Sequence, residues 1–491
     1  MPLSGDLLRL ADAVLFPGFA GHMPPDWLRR RLGEGLAGVV LFSRNIADPA
    51  QVARLTAALR AENPSVLVGT DEESGEVTRL EVATGSSRPG GYALGVVDDV
   101  ALTEALAGDL GGDLAAAGIT LDFAPSADVN SNPDNPVIGL RAFGADPALV
   151  SRHTRAFVRG LQSAGVAACA KHFPGHGDTS VDSHHGVPVV ADGIEDALLP
   201  FREAIKEGVK AVMTGHLLVP SYDAELPATL SPKVLTGLLR EELGFEGMII
   251  TDGIEMAAVA GTYGIGGASA RAIAAGADAI CVGGERADEA TAAGIRDAIA
   301  TAVTQGLLPE ERLADAARRV RELASWAASS GSQASRDGSV GLAAARRAVR
   351  ITRRSTAPVL PLTSAASVVE LAPEMNLAID RNTPWGVGQP LASLLPGTVV
   401  TRLTVGDSTG SALERLLGEA SGRPLVIVVR DVHRYAWQEQ ALRHLLSARP
   451  DAVVVEMGLP ERSDLGAVHI ATYGSARVCG QAAAEVLTGR L

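Results

Sequence analysis

Across residues 1–330 short apolar runs alternate with stretches of helical period, and that rhythm limits the possible folds more than any other feature of the chain. Eight runs read as buried strands: Ala13–Phe16, Gly38–Phe42, Val66–Thr70, Ile119–Phe123, Val166–Ala170, Ala211–Thr214, Met248–Thr251 and Ala279–Val282. Helical stretches separate most of them, among them Pro49–Glu62, Leu102–Ala117, Pro147–Ala164, Glu195–Glu207, Pro232–Leu243 and Ala268–Ala275. Strands hydrophobic along their whole length, each followed by a helix, predict an α/β fold with a parallel sheet, here a (β/α)8 TIM-type barrel. A doubly wound open sheet is the alternative. No glycine-rich phosphate fingerprint follows the first strand, which weakens a nucleotide-binding version of it.

A second α/β rhythm begins near Thr356, with apolar runs at Val368–Leu371, Val399–Leu403, Leu425–Val429 and Ala452–Met457 and a helical stretch at Gln438–Ser447. It predicts a smaller open sheet covered by helices. Between the two lies a charged, helical region broken by Ser329-Ser330-Gly331-Ser332. The expected organisation is a barrel over 1–330, a linker over 331–355 and a C-terminal α/β sandwich over 356–491.

Ionisable residues gather just after the barrel strands. Asp71 follows the third, Asp122 and Asp128 lie at or after the fourth, Lys171 and His172 follow the fifth, His216 the sixth and Asp252 the seventh. In a barrel these ends open on one face, where active sites form. The densest group runs from Lys171 through His172, His176, Asp182 and His184 to Gly186, with four of the ten histidines of the chain inside it. Pro174 and three glycines exclude a helix there. A solvated turn and a metal site built on His172 and His176 are the bland readings, although Pro174 and Gly175 argue against the helical spacing the metal site would need. A sharper one concerns Asp182-Ser183-His184. In an extended segment residues two apart point the same way, so the carboxylate can orient the imidazole and raise its pKa, making a general acid/base.

Lys171-His172-Phe173-Pro174-Gly175-His176-Gly177, followed by Asp182-Ser183-His184, resembles the signature of glycoside hydrolase family 3 β-N-acetylglucosaminidases. The stretch around Thr251-Asp252-Gly253-Ile254-Glu255-Met256 is similar to that family's nucleophile motif, and Asp71 through Arg79 to its Asp-x-Glu-Gly-Gly-x-Val-x-Arg stretch. The resemblance implies Asp252 as nucleophile, His184 as acid/base oriented by Asp182, and Asp71, Arg79, Arg141, Lys171, His172 and His216 as substrate-binding residues. His176 is expected to fix its loop and Asp128 and Asn130 to brace theirs. The chain departs from the pattern at Gly253, where many members have Asp, and at Ser74, where they have Gly; a left-handed backbone at Ser74 would carry a cost.

The activity implied is retaining exo-hydrolysis that releases terminal GlcNAc from a small oligosaccharide, a muropeptide fragment or a chitin disaccharide, through a covalent glycosyl-enzyme, with no cofactor and no metal. A phosphorylase is the near rival, since a neutral imidazole base does not repel phosphate. A metal-dependent barrel hydrolase and a catalytically dead sugar-binding barrel are more distant ones.

A formal net charge of −14 and a pI near 5.2 argue against nucleic acid or an anionic membrane as partner. No apolar run reaches the ~20 residues of a membrane helix. Cys169, Cys281 and Cys479 form no metal-ligand pattern and read as buried thiols in a reducing compartment. With an N-terminus that lacks a basic and an apolar region, a cytoplasmic location is expected.

Overall fold

The computed structural model describes residues 3–182, 186–190, 193–331, 337–354 and 359–491. The chain divides into two compact units. The first comprises Met1–Glu73, Val100–Ile138 and Ala142–Asp337, and the second Ser74–Asp99, Gly139–Arg141 and Gly338–Leu491.

The first unit is built on β1 (Leu15–Pro17), β2 (Gly38–Leu41), β3 (Leu67–Thr70), β4 (Leu121–Asp122), β5 (Ala167–Phe173), β6 (Ala211–Thr214), β7 (Met248–Thr251) and β8 (Ile280–Val282). Each lies within a residue or two of an apolar run in the sequence, except that β5 extends to Phe173. Strands β2 to β7 form a six-stranded parallel sheet in chain order, and β1 pairs with β8, also in parallel. A parallel bridge from Ile250 to Ala279 continues the pairing from β7 to the residue before β8. Every residue of these strands is buried, as a sheet covered on both faces requires. The sheet curls, because one core cluster gathers side chains from all eight strands, including Phe16, Val40, Leu67, Leu121, Cys169 and Met213. Gly38 makes room for the largest of them: a Cβ there would run into the ring of Phe16.

The helices expected at Pro49–Glu62, Leu102–Ala117, Pro147–Ala164 and Glu195–Glu207 form at Pro49–Glu62, Val100–Ala116, Pro147–Ser163 and Ile194–Lys206. Two differ in character. The segment Lys233–Glu242 is wound as a π-helix, and the helix before β8 begins at Ala257 and breaks at Gly264, where φ is 66°.

The second unit holds a six-stranded sheet in the order β11 (Val399–Leu403), β10 (Ser367–Leu371), β12 (Leu425–Val429), β13 (Val453–Glu456), β14 (Val468–Ala471) and β9 (Arg350–Arg353). The first five are parallel, and β9 closes one edge antiparallel to β14. Alternate residues feed two cores, Val368 and Val426 on one face, Val369 and Ile427 on the other. The stretch 331–355, expected as a linker, carries the helix Val340–Ala348 and strand β9, both in this unit. So does 74–99, expected with the first unit. It is held by Glu76, which is buried, accepts from Ser475 Oγ at 2.6 Å and pairs with Arg430.

Candidate active site

The ends of β3, β4 and β5 build one charged cluster. Asp71 and Glu73 leave β3 two residues apart, so in an extended segment their side chains share a side. Both reach Lys171: Nζ lies 2.7 Å from Asp71 Oδ1 and 2.6 Å from Glu73 Oε1. Lys171 is 1% exposed, Glu73 5% and Asp71 22%, so the pair is desolvated on one side and open on the other. Asp122, at the end of β4, accepts the amide of Glu72 at 2.9 Å and so fixes the turn between the two carboxylates. Asp122 is fully buried, and Oδ2 has no hydrogen-bond partner among the described residues. Burial, and then the charge of Glu72, push this carboxyl well above the usual range against the amide bond that favours its ionised form.

Strand β5 carries a bulge between Ala170 and Phe173 where it runs beside β6. The extra residue turns Lys171 and His172 out of the regular alternation, a common device at the rims of sheets. Asp128 holds the other half of the bulge. Its Oδ1 accepts the amides of His172 (3.2 Å) and His176 (2.7 Å), and its Oδ2 accepts from Ser126 Oγ (3.0 Å) and His172 Nδ1 (2.8 Å). Burial opposes charge on Asp128, but the attraction and hydrogen bond of His172, with help from His176, keep its pKa below the ordinary value. An ionised Asp128 can only accept, so Nδ1 of His172 carries a proton. Asp128 does more than brace its loop, the role expected from the sequence: it orients the imidazole. His176 fixes the loop as expected. Its Nδ1 meets Thr179 Oγ1 at 2.6 Å, its carbonyl accepts from Asn135, and burial followed by the charge of His172 lowers its pKa. Among the described residues no three His, Cys, Asp or Glu side chains converge as metal ligands.

At the end of β7 the amide of Asp252 donates to Thr214 O on β6 at 3.2 Å, and Asp252 Oδ1 accepts from Gly253 N at 2.7 Å. Asp252 is half-buried. Its field and that of Asp71 reach both Cys169 and Cys281, whose thiols are pushed up first by burial and then in part by these carboxylates. Asp71 and Asp252 therefore act at the same end of the sheet. His216, after β6, is buried. Its Nδ1 lies 2.8 Å from Thr229 Oγ1 and its Nε2 3.0 Å from Gly253 O.

Asp182 is buried and its carbonyl accepts from Gly186 N. His184, with Ser183 and His185, lies outside the described residues. Arg79 and Arg141 belong to the second unit, where Arg79 donates to Ala378 O and Arg141 ends a 3-10 turn at Gly139–Arg141. Ser74 takes the left-handed backbone, φ 66°, that its place in the motif demands, and its hydroxyl donates to Pro89 O at 3.0 Å in partial compensation. The sequence reading missed Glu73, although its i, i+2 spacing from Asp71 was there to be used. It also missed Thr229, which no motif marks.

Residues 30–323 match the family model described as "Glycosyl hydrolase family 3 N terminal domain". A protein of Pseudoalteromonas piscicida named beta-hexosaminidase A is 33% identical over 385 residues, which is 71% of this chain and 64% of that protein, so this chain spans less than two thirds of its length. A beta-hexosaminidase of Stenotrophomonas maltophilia is 38% identical over 58% of this chain and 86% of its own. Among solved structures, a glycoside hydrolase family 3 beta-N-acetylglucosaminidase from Paenibacillus sp. matches 99% of this chain and 97% of its own, with a TM-score of 0.88 at 33% identity.

Proposed function

Since the chain belongs to glycosyl hydrolase family 3, we propose that it is a retaining exo-β-N-acetylglucosaminidase acting on a small oligosaccharide. The observation that carries this reading is the buried Lys171 clamped by Asp71 and Glu73, beside an oriented His172, at the end of the sheet where Asp252 stands. Such a cluster offers donors and a forked acceptor to vicinal sugar hydroxyls. The relatives described above lend support through the activities in their names. We also take the eight strands as a closed (β/α)8 barrel, supported by the single core that all of them share.

In the proposed reaction Asp252 attacks the anomeric carbon as the glycosidic bond breaks. The protonated imidazole of His184, oriented by Asp182, delivers its proton to the departing oxygen. The neutral imidazole then takes a proton from water, which hydrolyses the glycosyl–Asp252 ester with overall retention. Lys171, His172 and Asp71 hold the sugar, with Arg79 and Arg141 assigned there by family resemblance. A cytoplasmic location is part of the proposal, supported by three free, buried thiols. No helix among the described residues is long and apolar enough to cross a membrane.

The test is turnover of GlcNAc–anhydro-MurNAc, chitobiose and an activated aryl GlcNAc glycoside, with and without phosphate and EDTA. Asp252→Ala should abolish all three activities in a folded protein. His184→Ala should impair the disaccharides far more than the aryl glycoside. Formation of sugar 1-phosphate, or loss of activity with EDTA, overturns simple hydrolysis. Equal losses on good and poor leaving groups remove His184 as the acid.

A further inference from the structure

Gly253 follows the proposed nucleophile and is the most freely rotating residue the chain could place there. Its conformation has to be set from outside. Its amide donates to Asp252 Oδ1 at 2.7 Å and its carbonyl accepts from His216 Nε2 at 3.0 Å. Behind His216 stands a file of buried hydroxyls. Thr229 Oγ1 is 2.8 Å from His216 Nδ1, and Thr214 Oγ1 is 2.7 Å from Thr229 Oγ1. His216, Thr229 and Thr214 are each 0% exposed.

The protons can be counted. A carbonyl only accepts, so the Gly253 bond requires hydrogen on Nε2. Thr229 Oγ1 donates its one proton to Gly215 O at 3.1 Å and so accepts from Thr214 Oγ1, while its contact with Nδ1 holds the His216 ring from behind. The bonded file runs Thr214, Thr229, His216, Gly253.

We propose that His216 and Thr229 are positioning residues, which fix the Gly253 peptide and through it the aim of the Asp252 carboxylate. This gives His216 a task different from the sugar contact implied by family resemblance. It rests on Asp252 being the nucleophile. Thr229 comes from the turn Ala228–Leu230 and carries the argument, since its hydroxyl serves His216 rather than a sugar.

The experiment is steady-state kinetics of T229V and T229S on the aryl GlcNAc glycoside, with trapping of the glycosyl-enzyme. T229V should lower kcat by roughly 10-fold or more, because small misplacements of a reacting group are costly. KM should change by less than about 2-fold, and T229S should recover most of kcat. A Cβ on Gly253 would come 3.3 Å from Glu255 Oε2, so G253A needs only that side chain to give by a few tenths of an ångström, and it stiffens the turn by itself. In that background the T229V penalty should shrink, which a loss of folding would not do. A T229V kcat within about 2-fold of native, a loss appearing only in KM, or the same penalty in both backgrounds overturns the positioning role. Should D252A remain active, the nucleophile assignment fails instead, so the two failures are separable.

Discussion

Replacing Lys171 by Met keeps most of the length of the side chain and deletes the cation that two carboxylates share. In the native protein Nζ sits 2.7 Å and 2.6 Å from Asp71 and Glu73, with Glu73 almost wholly buried. Without Lys171 the Glu73 carboxylate loses this cation in a site water barely reaches. Removing one partner of a buried pair costs about 3–5 kcal/mol, because the remaining carboxylate stays buried and loses the cation it faced. At about 2 °C per kcal/mol for a unit of this size, K171M should melt roughly 6–10 °C below native at pH 7. K171M/E73Q should recover part of the loss, since the second change removes the carboxylate charge that faced Lys171, and the double-mutant cycle isolates the coupling. Thermal and urea unfolding at pH 7 supply the measurement. If K171M unfolds within about 1 kcal/mol of native at pH 7, or E73Q fails to rescue it, the buried triad does not hold the site together in the way argued.

Two further outcomes follow from buried carboxyls. Burial pushes the Asp122 carboxyl upward while Oδ1 accepts the Glu72 amide; D122N, which keeps an acceptor, should retain kcat/KM within about 3-fold, whereas D122A should lose about 1–3 kcal/mol of stability with a matching fall in activity. An inactive, well-folded D122N would show that an ionised Asp122 is needed. Glu456, at the end of β13, is pushed up to about 8, first by burial and then by Asp431. A folded value above the unfolded one means its stabilising contribution is complete below pH 4.5 and drains away as pH climbs to about 8; at about 1.4 kcal/mol per pH unit the rise from 4.5 amounts to about 5 kcal/mol. Urea midpoints of E456Q should therefore overtake native ones between pH 5 and pH 9, and parallel profiles would refute the assignment.

The strands of the first unit were legible because a strand buried on both faces is written as an apolar run, and each of the eight lies in or beside one, although Asp122 ends β4 and Lys171 and His172 lie inside β5. Strand β9 was not. Arg350-Ile351-Thr352-Arg353 is an exposed edge whose character comes from pairing with β14, not from its own composition. Strand β14 was hidden by His469, a polar letter inside a four-residue strand. At the site, positions on strand ends could be read, but partnerships could not. Lys171 was marked by its motif, while the second carboxylate that grips it, Glu73, was overlooked. Asp128 and His216 were visible as residues; the bonds that make one an orienter of His172 and the other a brace on Gly253 depend on bulges and turns no local pattern encodes.

The second unit is assembled from three pieces of chain, two of them inserted within the span of the first. Its removal is therefore not a matter of cutting once near residue 337. A shortened polypeptide would still carry 74–99, with Glu76 deprived of Arg430 and Ser475 and an ionisable group left without the partners that justify its burial. Excision by a single break strands the very loop that begins one residue after Glu73.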